Sequence, residues 1–134
     1  METWGIGCFD NETATKWAFQ LIGCDDLSVI THTLDLAKNT KQLNSQDACK
    51  VLAAIETIAK LKGEIGGKTL YSKTVDEWVA NNPMKIDKKI IHQALESIEI
   101  ITEPDSDLLV LWEKKEDFVN WIEELESLRN RLLS

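Results

Sequence analysis

From Phe118 onward the apolar residues fall at Phe118, Trp121, Ile122, Leu125, Leu128 and Leu132, steps of three and four that line one face of an α-helix and no face of a strand. Most of the chain carries the same signal. A first helix is expected after Asp10 or Asn11, running to about Ile22 and ended by Gly23, because either side chain can accept from free amides at a helix start. A second begins at Asp25 and carries Leu27, Ile30, Leu34 and Ala37; a third begins at Ser45, with Ala48, Val51, Leu52, Ile55, Ile58 and Ala59, and ends near Lys60, Lys62 and Gly63. A loop holding Gly66-Gly67 follows. Thr74 and Glu77 then have the spacing of a capping box, opening a short helix through Trp78 that stops before Pro83. Asp87 caps a helix with a stripe of Ile90, Ile91, Ala94, Leu95 and Ile98, Pro104-Asp105-Ser106 makes a turn, and Leu108, Leu109, Leu111 and Trp112 form another short helix. Only Lys68-Thr69-Leu70-Tyr71 reads as a short extended piece. The pattern predicts an all-α fold: a compact orthogonal bundle of six or seven helices with a non-helical N-terminal arm, forming one helical domain over residues 1–134.

The bulk properties agree. A chain of 134 residues is large enough to bury about two-thirds of its unfolded surface, and 43% hydrophobic with 28% charged residues is ordinary globular usage. Apolar runs are too short to span a bilayer, and Met1-Glu2-Thr3-Trp4 lacks the basic flank and apolar core of a signal peptide, so a cytoplasmic protein without membrane contact is expected. Cys8, Cys24 and Cys49 are an odd set with no C-x-x-C pair, which argues for reduced, mostly buried thiols over a disulfide framework or zinc site. A net charge of -8 disfavours nucleic-acid phosphates as partners and suits a basic protein.

Several fragments imitate chemistry. Gly63-Glu64-Ile65-Gly66-Gly67-Lys68-Thr69 is one residue short of a phosphate-binding loop and follows a helix where that loop needs a strand. Asp10-Asn11-Glu12 lacks the glycine and distal glutamate of a calcium loop. His32 with Asp35, and His92 with Glu96, each supply two side chains where a catalytic metal needs three or four, so neither a metal nor any other cofactor is expected. No Ser sits in a G-x-S-x-G elbow, and no spacing ties either His to a Cys.

Trp4-Gly5-Ile6-Gly7-Cys8-Phe9-Asp10-Asn11 is the most distinctive segment. Its two glycines permit unusual backbone angles, so the arm is expected to fold back and bury Trp4 and Phe9 while Asp10 starts the helix. The pattern Trp4-Gly5-x-Gly7-x-Phe9-Asp10-Asn11, followed by Ala14 and Trp17, resembles the opening W-G-x-G-x-F-D-N signature of a bacterial family of uncharacterised small helical domains. Leu111-Trp112, Trp121 and the leucine-rich C-terminus are similar to that family's closing segment. The resemblance implies a small bacterial helical domain and carries over no catalytic residue. Trp4, Phe9 and Asp10 could line a ligand pocket; anchoring the arm is the favoured role because each residue has such a job.

Charge supplies the functional lead. Residues 74–134 hold 14 acids and 7 bases, whereas residues 1–73 hold 9 and 8. Between Glu96 and Glu126 there are eleven acids and only Lys114 and Lys115 to oppose them. Asp105, Asp107, Glu116 and Asp117 lie near expected helix starts, where the dipole favours them. Glu96, Glu99 and Glu103 fall on one helical stripe without an interleaved base, at a cost of about 0.2–0.5 kcal/mol per pair. Together with Asp105, Asp107, Glu113, Glu116, Asp117 and Glu123 they form the expected partner-binding surface. The reading is a non-enzymatic inhibitor, an immunity protein that covers the basic active site of a bacterial toxin such as a nuclease. The alternative is a small hydrolase-like or ligand-binding enzyme using Asp10, His32 or His92.

Overall fold

The computed structural model describes residues 3–39, 41–64 and 68–134. Seven α-helices and no sheet occur among them: α1 (Glu12–Ala18), α2 (Ser28–Asn39), α3 (Ser45–Leu61), α4 (Lys73–Asn81), α5 (Lys88–Ile101), α6 (Asp107–Glu113) and α7 (Phe118–Leu133). The Gly66-Gly67 loop lies outside the described residues. No helix among the described residues is long and apolar enough to cross a membrane.

Short polar side chains set most of the helix starts. Asn11, Asn44, Asp87 and Ser106 each accept a hydrogen bond from the backbone N–H three residues on, satisfying an amide that has no partner inside the helix. Thus the first helix is capped by Asn11, while Asp10 is engaged elsewhere. α1 tightens into a 3-10 turn over Phe19–Leu21, and α3 ends at Gly63, whose φ of +91° no side-chain-bearing residue adopts cheaply.

Three expected boundaries move. α2 begins at Ser28, three residues after Asp25, because Asp26 Oδ1 accepts from both the Ser28 N–H (3.0 Å) and its hydroxyl (2.6 Å) and holds a turn there. α4 begins at Lys73, so Thr74 stands inside the helix and the Thr74–Glu77 capping box does not form. Lys68–Tyr71 is a turn and not an extended piece: the Thr69 hydroxyl accepts from the N–H groups of Tyr71 (3.2 Å) and Ser72 (3.3 Å).

α3 is the axis of the bundle. Every residue from Val51 to Lys60 is buried, and α1, α2, α4, α5, α6 and α7 all pack against it, as a helix that is apolar around its whole circumference requires. The predicted stripe of α7 is borne out, with Trp121, Leu125, Leu128 and Leu132 in the core. Two of the buried indoles donate across the core: Trp17 Nε1 to Thr33 Oγ1 at 2.8 Å and Trp78 Nε1 to the Cys24 carbonyl at 2.8 Å. Trp112 and Trp121 stack at 5.2 Å, fastening α6 to α7.

Candidate functional site

Two regions gather charged and polar groups: a cleft under the N-terminal arm, and an outer surface built from α5, α6 and α7.

The arm is a loop closed on itself. Thr3 pairs with Asn11 in a single antiparallel bridge, the Trp4 N–H donates to the Asp10 carbonyl at 2.7 Å, and the Asp10 N–H donates to the Gly7 carbonyl at 3.0 Å. The Asp10 carboxylate turns back over the loop, where Oδ2 accepts from the Gly7 N–H at 2.9 Å. A Cβ on Gly5 would stand 2.6 Å from that oxygen, and one on Gly7 2.9 Å. Neither glycine has a positive φ, so it is this close approach, not unusual backbone angles, that sets both positions apart: a side chain at either would force the Asp10 carboxylate to move. Phe9 is buried as expected, at 3% exposure, and Trp17 and Asn11 are buried with it. Trp4 is not. It is 46% exposed and stacks on Tyr71 at 4.7 Å, outside the core.

Beneath the arm lies a cavity of about 190 Å³, walled by residues 6–10, by Glu56 and Lys60 of α3, by Thr69 and Ser72, and by Glu124 of α7. Its charges are mostly paired. Arg131 Nη1 donates to Glu56 Oε1 at 2.9 Å while Nη2 engages Oε2, and the same guanidinium reaches the Glu64 carbonyl at 3.0 and 2.9 Å. Lys60, itself buried, bonds Asp76 Oδ1 at 2.8 Å, and Asp76 Oδ2 accepts from the Ser72 hydroxyl at 2.7 Å. These pairs are what buried charge demands.

Asp10 and Glu124 are left without a cationic partner among the described residues. Burial pushes the Glu124 carboxyl above its ordinary range, and Glu56 adds to the rise, which Arg131 only partly opposes. Burial likewise pushes the Cys8 thiol well above its usual value, with Glu56 and Glu124 contributing, and the Cys49 thiol up to about 11. Neither buried thiol is a ready nucleophile near neutrality.

Sequence reasoning missed this cleft's inner wall. Glu56 is the one charged residue in the apolar run Val51–Ala59, and a helix segment apolar all round has no solvated face on which to place it. That signal says buried and partnered. It does not say with what, because Arg131 is 75 positions away and Lys60, four residues on, turns to Asp76 instead.

On the outer surface, Glu96 and Glu99 are exposed on α5. The helix begins with Lys88 and Lys89 and has no base in its last turn, the reverse of what its dipole favours. Glu103 lies beyond the end of α5, so the expected three-residue stripe is broken. Its backbone enters the turn to α6, beside Asp105. Gln42 reaches across this turn, donating to the Asp105 carbonyl at 3.2 Å and to Asp107 Oδ1 at 2.9 Å. Asp107 is therefore half-buried and engaged. Glu113, Glu116 and Asp117 stand at the far end of α6, about 10 Å along its axis, and Glu123 faces outward from α7. None of Glu96, Glu99, Glu103, Asp105, Glu113, Glu116, Asp117 and Glu123 makes an ion pair among the described residues.

His32 and His92 are exposed on α2 and α5, and neither lines the cleft that holds Asp10. The Asp35 carboxylate accepts from Gln93 Nε2 at 2.7 Å. Among the described residues no three His, Cys, Asp or Glu side chains converge as metal ligands.

Residues 2–124 match the family model described as Domain of unknown function (DUF4259), and the chain belongs to that family. No curated protein and no solved structure matches it.

Proposed function

We propose that this member of the DUF4259 family is a bacterial, cytoplasmic protein-binding inhibitor, an immunity protein that neutralises a basic toxin such as a nuclease. The observation that carries the reading is the set of exposed carboxylates, unpaired among the described residues, across α5, the α5–α6 turn, α6 and α7. A helix that starts on two lysines and ends on glutamates sacrifices a little stability, and a local cost without a local return is typical of surfaces retained for binding. Carboxylates spaced along this face would occupy the toxin groove that otherwise takes phosphates, and their summed field would steer the two proteins together.

The test uses a toxin domain encoded beside this chain's gene, with capture followed by stopped flow at rising salt. Association should slow steeply with ionic strength, and charge reversal by Glu99→Lys with Glu103→Lys should slow it by tenfold or more, within the ~10–1,000-fold range of electrostatic steering. Capture that ignores both salt and the double reversal would sink the proposal.

A further inference from the structure

Eight large apolar side chains are exposed among the described residues, and three of them, Trp4, Leu70 and Tyr71, gather at the turn ahead of α4, where Trp4 stacks on Tyr71. Leu70 is 82% exposed, the most of the eight. Single apolar residues are ordinary on a protein surface, but a cluster of them beside a groove marks a contact. Such a groove runs along α4. It is mostly apolar, holds about 390 Å³, and is bounded by Leu70 of the turn and by Lys73, Glu77 and Ala80, which fall on one face of the helix. Its charged residues are two bases and two acids, Lys68, Lys73, Asp76 and Glu77, on a chain whose net charge is -8. Asp76 is already met by Lys60. Lys73 and Glu77 are exposed four residues apart yet make no ion pair among the described residues, base ahead of acid being the weaker order for pairing within a helix.

We infer that this face pairs with a second copy of the chain, the two α4 helices lying antiparallel across a two-fold axis with Leu70 of each copy seated in the groove of the other. A two-fold contact must complement itself, each residue meeting a second residue whose own copy meets the first in return. The face carries both halves of such a contact. Leu70 is the protrusion, and the groove over the small side chain of Ala80 is the recess. Lys73 and Glu77, exchanged across an axis at their midpoint, give two intermolecular ion pairs. Leu70 precedes Lys73 by three residues and Ala80 follows Glu77 by three, so a single register brings base to acid and Leu70 to Ala80. The charge balance also selects the occupant. A rim with equal numbers of bases and acids attracts neither a strongly basic nor a strongly acidic partner, and a chain of net charge -8 resists its own copy least where charge is locally balanced. None of these residues lies on the acidic surface of α5, α6 and α7, so pairing here leaves that surface open.

The full chain is followed by sedimentation velocity from about 1 to 500 μM, since an interface of ordinary size need hold no tighter than micromolar. The mass should rise toward that of two chains. Leu70→Asp changes a side chain outside the core, so its far-UV spectrum should match the wild type while pairing weakens by about tenfold or more, the substitution entering a two-fold contact twice. Lys73→Glu and Glu77→Lys should each weaken self-pairing, because like charges then face each other. An equimolar mixture of those two variants should pair again, since every contact between them joins opposite charges. Val119→Asp, at an exposed apolar position on α7, should leave the mass unchanged. A chain that stays monomeric throughout overturns the inference, as does a dimer indifferent to Leu70→Asp or a mixture that fails to pair. A monomer whose apolar-dye fluorescence disappears with Leu70→Asp overturns it too, and leaves the groove to a different occupant.

Discussion

Glu56 and Lys60 lie on the most deeply buried stretch of α3, and each is met by a charge from another helix; Glu96, Glu99 and Glu113 stand in water on the outer surface and are met by none among the described residues. The inner arrangement is costly to disturb because an unpaired charge in the interior keeps its full desolvation penalty. The outer one is cheap to disturb, since water already solvates it, and it stays open to a partner. Charge inside this molecule is structure, and charge outside it is reach.

The contrast breaks most visibly at Arg131. Replacement by Met strands Glu56 in the interior and should cost about 3–5 kcal/mol in urea unfolding, with part of the loss recovered when Glu56→Gln is added. If the single variant unfolds like the wild type, the inner pair is not what holds this region. Phe9→Ala empties a core site in the arm and should cost a comparable 3–5 kcal/mol; a normal melting temperature would show the arm to be dispensable to the core. Gly5→Ala sets a methyl against the Asp10 carboxylate and should cost about 1–3 kcal/mol, relieved by Asp10→Ala in the double variant if the clash is its cause.

The outer surface should respond with the opposite sign. Glu99→Lys places a base in the last turn of α5 and removes a like-charge neighbour, for a gain of up to about 1 kcal/mol in thermal unfolding. The same change should impair capture of a basic partner. A loss of stability would mean that Glu99 has a structural role. The smallest effect expected lies between the two regions, at half-exposed Glu124. Its folded-state carboxyl titrates above the unfolded one, so the folded chain binds the extra proton and stability falls as pH rises through that window. Glu124→Gln should therefore be slightly more stable than the wild type at pH 7, with the difference closing as pH drops below the ordinary carboxylate range. A constant difference across that range would show that Glu124 is not the titrating group.

The helices were legible because their apolar spacing and most of their caps are local facts: Asn11, Asp87 and the stripe from Trp121 to Leu132 can be read within a few residues. Boundaries slipped where a side chain had two possible uses, as at Asp26 and Ser72. The segment Trp4–Asn11 stands out in the sequence, but its glycines read there as backbone freedom, whereas the structure sets Asp10 folding back over them. A large apolar indole reads as a core residue, yet Trp4 stacks on Tyr71 outside the core, and the partner of that stack lies 67 positions away in sequence. The outer acids could be named one by one, but whether they form one stripe depended on where α5 ends, and it ends before Glu103. The cleft was hidden because it joins positions 10, 56, 60, 76, 124 and 131, and no local pattern relates them.

The burial of α3 on every side has a kinetic corollary. Amides from Ile55 to Lys60 are hydrogen-bonded within a helix that other helices surround, so they have no shallow route to solvent and should exchange with deuterium only when the bundle opens as a whole. Their exchange rates would then measure the stability of the entire chain. Amides of the surface turns would report only local fraying, and the gap between the two rates would show how far the fold's strength is concentrated along its axis.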